Sequence, residues 1–156
     1  MAPPTPDEFR DVADLRSALR LFLRRSGEIA ARNGLTPRYH LLLLMIKGAA
    51  DGSERSTVSE LTQRLQLTQS TVTQLVQRAE GDGLVYREPS TADRRVVYLR
   101  LTEEGERRIA ASVSDHGPER RMLLEIVQTI AGPETAGGVP FATTARAGGT
   151  ARGSRR

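Results

Sequence analysis

Residues 57–105 constrain the fold of this chain more than any other segment. They read TVSELTQRLQLTQSTVTQLVQRAEGDGLVYREPSTADRRVVYLRLTEEG, in which two short amphipathic helical patterns are separated by a tight turn and followed by a pair of strand patterns. Each helical pattern begins at a threonine, Thr57 and Thr68, and Glu60 stands where it closes a capping box with Thr57. The segment therefore predicts a helix-turn-helix followed by a β-hairpin.

Threonine marks three further helix starts. Thr5 and Thr36 each precede a proline, which is tolerated in the first turn of a helix because its nitrogen needs no hydrogen bond there. Thr102 precedes two glutamates, which interact favourably with the positive end of a helix dipole. Helices are predicted to begin after each of these residues.

The strands are predicted over residues 84–88 and 96–101, with turn-forming residues between them. The last helix is expected to break at residues 115–118, with His116 exposed in the linker, and to resume over residues 121–131. The predicted order is four helices, a hairpin and a further helix. The fold class is therefore mainly α with a small β-hairpin.

Length and composition exclude several classes of protein. At 156 residues the chain fits one domain, and the absence of cysteine excludes disulfides and thiolate metal sites. Two histidines are too few for a zinc site, and no side chains form a catalytic pattern, so no metal, cofactor or enzyme activity is expected. The longest apolar run, residues 41–46, is far below the roughly 20 residues of a membrane helix. Because a signal-peptide pattern is also missing, a cytoplasmic location is expected.

The net charge of +4 is concentrated in the C-terminal segment. Residues 132–156 carry four arginines against one glutamate, which accounts for +3 and leaves +1 for residues 1–131. This Gly-, Ala- and Thr-rich segment is predicted to be a disordered basic tail. Any basic binding surface on the folded part must therefore come from the placement of charges rather than from their total.

The helix predicted after Thr68 has one apolar face and one polar face. The polar face consists of Gln69, Ser70, Thr73, Gln74 and Gln77. Such side chains hydrogen-bond to base edges, and a glutamine in bidentate contact with adenine contributes about 1–3 kcal/mol of discrimination. A solvated polar helix face explains the same pattern equally well.

The tip of the predicted hairpin carries Asp93, Arg94 and Arg95. A projecting arginine suits a narrow minor groove, and Asp93 is expected to hold an arginine side chain in position. Taken alone, this triplet is more often a solvated turn. Its position after a helix-turn-helix is typical of the wing of a winged helix.

The ordered set of motifs resembles the MarR family of bacterial transcriptional regulators. The resemblance rests on S-T-V-T-Q-L-V-Q-R-A-E-x-x-G-L-V-x-R-E and on D-R-R-V-V-Y-L-R-L-T-E-E-G, and it runs from about residue 35 to residue 105. The D-x-R of the wing matches Asp93 and Arg95. The L-T-x-x-G that closes the wing matches Leu101, Thr102 and Gly105.

The resemblance implies a dimeric winged helix-turn-helix with N- and C-terminal dimerisation helices. Residues 5–131 would form a single domain, in which residues 5–34 and 103–131 dimerise and residues 36–102 bind DNA. The interruption at Gly117-Pro118 departs from the family pattern and affects the expected dimer interface.

The expected partner is a palindromic double-stranded operator, with Arg95 in the minor groove. The DNA-contacting residues expected from the pattern and the resemblance are Thr57, Thr68, Gln69, Ser70, Thr71, Thr73, Gln74, Gln77, Arg94 and Arg95. The resemblance also implies a small-molecule site between the two parts. Arg38, Tyr39 and His40 are the candidate contacts to a small aromatic effector, although a lone histidine is more often packed or hydrogen-bonded.

The function expected from these observations is that of a ligand-responsive repressor that binds an inverted repeat as a homodimer. Two alternatives remain open. The winged helix could bind a protein instead of DNA, or the arginine-rich tail could drive DNA binding without sequence preference.

Overall fold

The computed structural model describes residues 3–131, apart from the side chains at positions 127 and 129–131, so the predicted tail at 132–156 lies outside the described residues. The elements in chain order are α1 Pro6–Arg32, α2 Pro37–Lys47, α3 Val58–Leu65, α4 Gln69–Gly81, β1 Val85–Pro89, β2 Val97–Leu101, α5 Glu103–Asp115 and α6 Gly117–Ala131. The mainly α fold with a two-stranded hairpin is confirmed. Each strand begins one residue later than predicted.

All five predicted threonine caps are confirmed. Thr5 and Thr57 close full capping boxes, in which the threonine hydroxyl accepts from the backbone N–H of a glutamate whose side chain bonds back to the threonine N–H. The side chains of Thr36, Thr68 and Thr102 each accept a bond from a backbone N–H in the first turn of their helix. Each of these five helix starts is therefore stabilised by hydrogen bonds within its first turn.

The hydrophobic core lies around α2. Fully buried Leu42, Leu43 and Ile46 on this helix pack in one cluster with residues of α3, α4, the hairpin and α5. The partners are Leu61, Val72, Val76, Ala79, Leu84, Val85, Leu99, Leu101 and Ile109. Because α2 contacts all of these elements, it holds the helix-turn-helix and the hairpin in a fixed relative position.

The hairpin is antiparallel and is extended by one residue from outside it. The register pairs Val85 with Leu101 and Pro89 with Val97. Ser56 adds a third, single-residue edge through its backbone, since its N–H donates to the Leu99 carbonyl at 3.2 Å and its carbonyl accepts from Leu99 at 2.8 Å. This bridge attaches the hairpin to the residue just before the α3 cap.

The predicted break between α5 and α6 is present, but the predicted exposure of His116 is wrong. Helix α5 ends at Asp115, and α6 begins at Gly117 rather than at 121, because Pro118 fits the first turn of a new helix. His116 is only 8% exposed. Its ring is held inside by two hydrogen bonds: Nδ1 donates to the Ser112 carbonyl, and Nε2 accepts from the Ser26 hydroxyl.

Helix α1 packs against α2, α5 and α6, yet it leaves apolar side chains uncovered. Phe9, Val12, Leu19 and Leu23 are 65%, 58%, 39% and 66% exposed. They form a single stripe along the helix, with Leu124 of α6 also exposed. Within residues 3–131, none of the helices is both long and apolar enough to cross a membrane.

Candidate nucleic-acid interface

A left-handed residue makes the turn between α3 and α4 compact. Gln66, which caps α3, has φ 53° and ψ 40°. This conformation reverses the chain within three residues, so that Thr68 already caps α4. Leu67 in the turn remains 38% exposed.

Burial of one face fixes how α4 presents the other. Val72, Val76 and Ala79 are fully buried against the core. Of the polar residues predicted to contact DNA, Gln69, Ser70, Gln74 and Gln77 are exposed, while Thr71 and Thr73 are half-buried. The structure therefore places the predicted polar face on the surface of a helix that is anchored along its opposite side.

Hydroxyl groups crowd the N-terminus of α4. The Thr68 hydroxyl lies 2.8 Å from the Thr71 hydroxyl and 3.1 Å from that of Ser70, and it accepts from the Thr71 N–H at 3.3 Å. Thr57, the remaining threonine predicted at the interface, is half-buried, and its hydroxyl is engaged with Glu60 in the α3 cap. Thr68 and Thr57 thus have structural roles whether or not they touch DNA.

The wing tip is a tightly hydrogen-bonded turn. The Ser90 hydroxyl accepts from the N–H groups of Ala92 and Asp93 at 3.2 and 3.3 Å. The Val96 N–H donates to the Asp93 carbonyl at 2.9 Å, and the Ser90 N–H donates to the Val96 carbonyl at 2.9 Å. These bonds give the projecting tip a defined backbone shape.

Asp93 orients Arg95, as the sequence predicts. Its Oδ1 accepts from the Arg95 Nε at 3.1 Å and from the Arg95 backbone N–H at 3.0 Å, while its Oδ2 accepts from Nη2 at 3.0 Å. These bonds from the guanidinium and then from the backbone lower the pKa of the Asp93 carboxyl. The Arg95 side chain is nevertheless 89% exposed, so the guanidinium is pre-oriented and accessible.

An ion-pair network on the strands of the wing was not predicted from the sequence. Glu88 on β1 accepts from Arg100 Nε on β2 at 2.7 Å and lies 3.6 Å from Arg55 Nη1. The pKa of Glu88 is lowered, and the hydrogen bond from Arg100 is the main cause. Arg55 also stacks over the Tyr98 ring at 4.0 Å. The network joins both strands to the segment before α3.

A second ion pair links the wing to α4. Arg87 on β1 donates to both carboxylate oxygens of Glu80, at 3.0 Å from Nε to Oε1 and 3.1 Å from Nη2 to Oε2. The backbone continues this link, since the Leu84 N–H donates to the Ala79 carbonyl at 2.9 Å. The polar helix and the wing are therefore connected by side chains as well as by the chain itself.

A cleft of about 470 Å³ opens between the start of α2 and the polar side of α4. Its lining combines Arg38, Tyr39 and Arg78 with the apolar side chains of Pro37, Leu67 and Leu75, and with Thr36, Thr71 and Gln74. The Tyr39 hydroxyl donates to Asp82 Oδ2 at 2.6 Å, and burial followed by this bond raises the pKa of Tyr39.

Of the three candidate effector contacts, Arg38 and Tyr39 line this cleft and His40 does not. His40 is instead 8% exposed and stacks on His116. Arg78 and Leu67 are lining residues that the sequence did not single out. The position of Arg78 on α4 and that of Leu67 in the turn do not indicate a cleft in the sequence, because the cleft forms only where α2 and α4 meet.

A model of the MarR family matches residues 33–96, the helix-turn-helix with most of the wing. The uncharacterized HTH-type transcriptional regulator YsmB of Bacillus subtilis strain 168 is 30% identical over 125 residues, which cover 78% of this chain and 83% of YsmB. The HTH-type transcriptional repressor MdtR of the same organism is 37% identical over 79 residues, 51% of this chain and 48% of MdtR.

Solved structures share the fold at lower identity. AbsC, a MarR family transcriptional regulator from Streptomyces coelicolor, aligns with a TM-score of 0.67 at 22% identity and covers 86% of this chain and 87% of its own. Sco3205, a MarR family regulator from the same organism crystallised in complex with DNA, aligns with a TM-score of 0.63 at 24% identity over 80% of this chain and 78% of its own. The chain accordingly belongs to the MarR family, whose members are winged-helix transcriptional regulators and not enzymes.

Proposed function

We propose that this MarR-family regulator binds an inverted-repeat operator as a homodimer and represses transcription until a small effector releases it. Its α4 would enter the major groove, with Gln69, Ser70, Thr73 and Gln74 at base edges and the helix N-terminus near a phosphate. Arg95 would enter the adjacent minor groove. Arg94 and Gln77 would contact the DNA at the margins of the interface.

One observation carries the proposal: the anchored polar helix α4 and the wing with its pre-oriented arginine are connected to each other. Helix α4 is fixed by its buried face, and Asp93 holds the exposed Arg95 side chain. The Glu80–Arg87 ion pair joins the two. The proposal also accounts for an acidic residue, Asp93, at a DNA-binding surface, because Asp93 would hold Arg95 in the orientation that the minor groove requires.

The uncovered apolar stripe of α1 supports dimerisation. Contiguous exposed apolar side chains are uncommon on a monomeric surface and mark an interaction site. A second copy of the chain fits this face because the stripe lies on one of the helices that the family resemblance assigns to dimerisation. Two such subunits related by a twofold axis would place their α4 helices in successive major grooves, about 10 bp apart.

The cleft between α2 and α4 is the proposed effector site. Its volume of about 470 Å³ suits a small molecule, and Arg38 and Arg78 beside apolar side chains suit an aromatic anion. Thr71 and Gln74 belong both to the cleft lining and to the proposed DNA-contacting set. A ligand that binds more tightly when α4 is displaced would therefore favour the DNA-free arrangement.

Repression by promoter occlusion is the proposed outcome, and the similar protein MdtR is a transcriptional repressor. The two alternatives make different predictions. If the winged helix binds a protein instead, no DNA sequence should be bound specifically. If the arginine tail drives binding, DNA should be bound without sequence preference, and deletion of residues 132–156 should abolish that binding.

In vitro selection from a random duplex pool tests the proposal directly. Full-length protein is expected to enrich an inverted repeat with half-site centres about 10 bp apart. Footprinting of the selected duplex, repeated with small aromatic carboxylates, then examines effector release. Enrichment of unrelated sequences, or of none, would refute operator binding.

The dimer is tested by a charge on the apolar stripe. Leu23→Arg is expected to halve the mass measured by analytical ultracentrifugation, because an unpaired guanidinium would be buried in the interface. Ser17→Arg is the matched control, since Ser17 is exposed on α1 outside the stripe. If both variants sediment like the wild-type protein, the stripe is not the dimer interface.

A further inference from the structure

The two histidines of the chain form a buried stacked pair. His40 lies in the first turn of α2, and His116 lies between α5 and α6. Their ring centroids are 4.9 Å apart and the rings are 16° from parallel. Both residues are 8% exposed. Parallel stacked rings point their nitrogen lone pairs sideways rather than toward a common point, so the arrangement suits packing and not the shared coordination of a metal ion.

His116 is fully hydrogen-bonded in its neutral form. The Ser112 carbonyl can only accept, so Nδ1 of His116, 2.6 Å away, must carry the proton. Nε2 then accepts from the Ser26 hydroxyl at 2.8 Å. These two bonds join α5 and α1 through one ring.

His40 lacks this support. Its Nε2 is buried and has no hydrogen-bond partner in the described part of the chain. A protonated imidazole donates from both nitrogens, so charging His40 would leave a buried donor unsatisfied. The positive end of the α2 dipole and the adjacent His116 ring oppose the charge as well. Burial first, and His116 second, lower the pKa of His40.

The charged groups on the surrounding helices are largely engaged elsewhere. On α1 and α5, Arg25 contacts Met122 and Asp115 accepts from Asn33. On α2 and α5, Lys47 binds Glu54 and Glu106, and Glu104 binds Arg107 and Arg108. Tyr39, adjacent to His40, binds Asp82. Glu119 of α6 is different, since its Oε2 is buried without a hydrogen-bond partner within residues 3–131.

The pair connects the α1–α5–α6 part of the chain to the DNA-reading helix. His40 is next to Tyr39, whose hydroxyl binds Asp82 at the end of α4. Helix α2 is also fastened to α3, because Arg64 donates to the carbonyls of Met45 and Gly48. A displacement of α2 at His40 would therefore be passed to both helices of the helix-turn-helix.

We propose that the His40–His116 stack is a proton-sensitive joint between α2 and the α1–α5–α6 part of the chain, and that acidification loosens it and weakens operator binding. The consequence at DNA rests on the function proposed above. The joint itself is measurable on the protein alone.

The direction follows from proton linkage. At a pH well above about 6.5, the ordinary value for histidine, His40 is neutral in both the packed and the loosened states, and the joint has its full stability. As the pH falls through that value, the loosened state binds a proton before the packed state does, so the packed state loses stability. The loss levels off below the lowered pKa of packed His40.

The first measurement follows the imidazole carbon–proton signals of the full chain by NMR between about pH 5 and pH 8. Only two imidazole rings contribute such signals, since the native sequence contains two histidines. The signals of the His40 ring are expected to titrate below pH 6.5. Amide hydrogen exchange, measured at pH 5.5 and 7.5 and corrected for intrinsic rates, is expected to show α2 less protected at the lower pH. His40→Phe, which keeps an aromatic ring but cannot be protonated, should abolish that difference.

The second measurement compares affinity for the selected duplex, prepared without terminal phosphates, at the same two pH values. Wild-type protein is expected to bind the duplex severalfold more weakly at pH 5.5 than at pH 7.5, because His40 has a lowered pKa in the packed state. The affinity of His40→Phe should change by less than about twofold between the same pH values. Glu119→Gln should behave like the wild-type protein. Equal pH dependence in wild type and His40→Phe, or its loss in Glu119→Gln, would overturn the proposal.

His116→Gln covers the case in which His40→Phe does not fold. Glutamine can still donate toward Ser112 and accept from Ser26, but it removes the second imidazole. The His40 signal is then expected to titrate at a higher pH, and an unchanged midpoint would contradict the joint. If selection yields no duplex, the proposed function fails, and the exchange data alone decide whether the joint exists.

Discussion

Arg95→Ala is expected to lower affinity for the selected duplex by about 10- to 100-fold, which corresponds to about 1.4–2.8 kcal/mol. The loss should be large because Arg95 is already oriented by Asp93 and so surrenders little side-chain entropy on binding. Fluorescence anisotropy at one fixed salt concentration measures it, together with the affinity for a scrambled duplex.

Two neighbouring substitutions serve as controls. Arg94→Ala removes the same charge from the next position, and we expect a smaller loss that is similar for specific and scrambled DNA. Asp93→Asn keeps the size of the side chain but weakens its hold on Arg95. Affinity for the selected duplex should fall because Arg95 is less well oriented. Affinity for the scrambled duplex should rise or stay the same, because removal of the carboxylate reduces repulsion of phosphates. The ratio of the two affinities should therefore decrease.

Equal losses from Arg94→Ala and Arg95→Ala would mean that the wing contributes charge and no specific contact. An undiminished footprint in Arg95→Ala would remove this residue from the interface altogether. Either result would leave α4 as the sole reader of sequence and would require a different role for the Asp93–Arg95 pair.

Gly105→Ala is expected to lower the free energy of unfolding by about 1–3 kcal/mol, as forced overpacking does. A Cβ built at this position lies 2.1 Å from the backbone carbonyl oxygen of Leu84, where no side-chain rearrangement can relieve the contact. The same carbonyl accepts from the Thr102 N–H at 3.1 Å, so the clash falls where α5 meets the hairpin. Urea denaturation measures the change.

Gly81→Ala is the matched control, because a Cβ there meets nothing within 4 Å. Alanine favours helix over glycine by about 1 kcal/mol, so this variant should be as stable as the wild-type protein or more so. The opposite signs expected for two glycine-to-alanine changes in helices separate close packing from helix propensity. A Gly105→Ala protein as stable as the wild type would show that α5 does not approach the hairpin this closely.

Helix starts were predictable because their causes lie within four residues. Thr57 and Glu60 satisfy each other's backbone in a capping box, and no distant element is needed. The polar face of α4 was predictable for a related reason, since helical periodicity fixes which side chains share a face. The Asp93–Arg95 pair was predictable for the same reason, because the two residues are only two positions apart in the sequence.

Contacts between distant residues were not predictable. The Ser56 bridge to Leu99 uses only backbone atoms, and any residue at position 56 other than proline has them. Arg55 reaches Tyr98 and Glu88 across the sheet, and neither distance is encoded in local pattern. The cleft between α2 and α4 exists only where two helices from separate segments meet.

The sequence by itself determined the order of the elements, the positions of the five threonine caps and the polar face of α4, because these depend on hydrogen bonds and periodicity within a few residues. The tertiary structure decided the fate of His116. The local sequence, with Gly117 and Pro118 beside it, favours an exposed His116. In the folded chain the hydroxyl of Ser26, 90 residues earlier, donates a hydrogen bond to its ring, and the His40 ring stacks on it. Burial depends on what the rest of the chain brings to a site, and only the folded molecule contains that information.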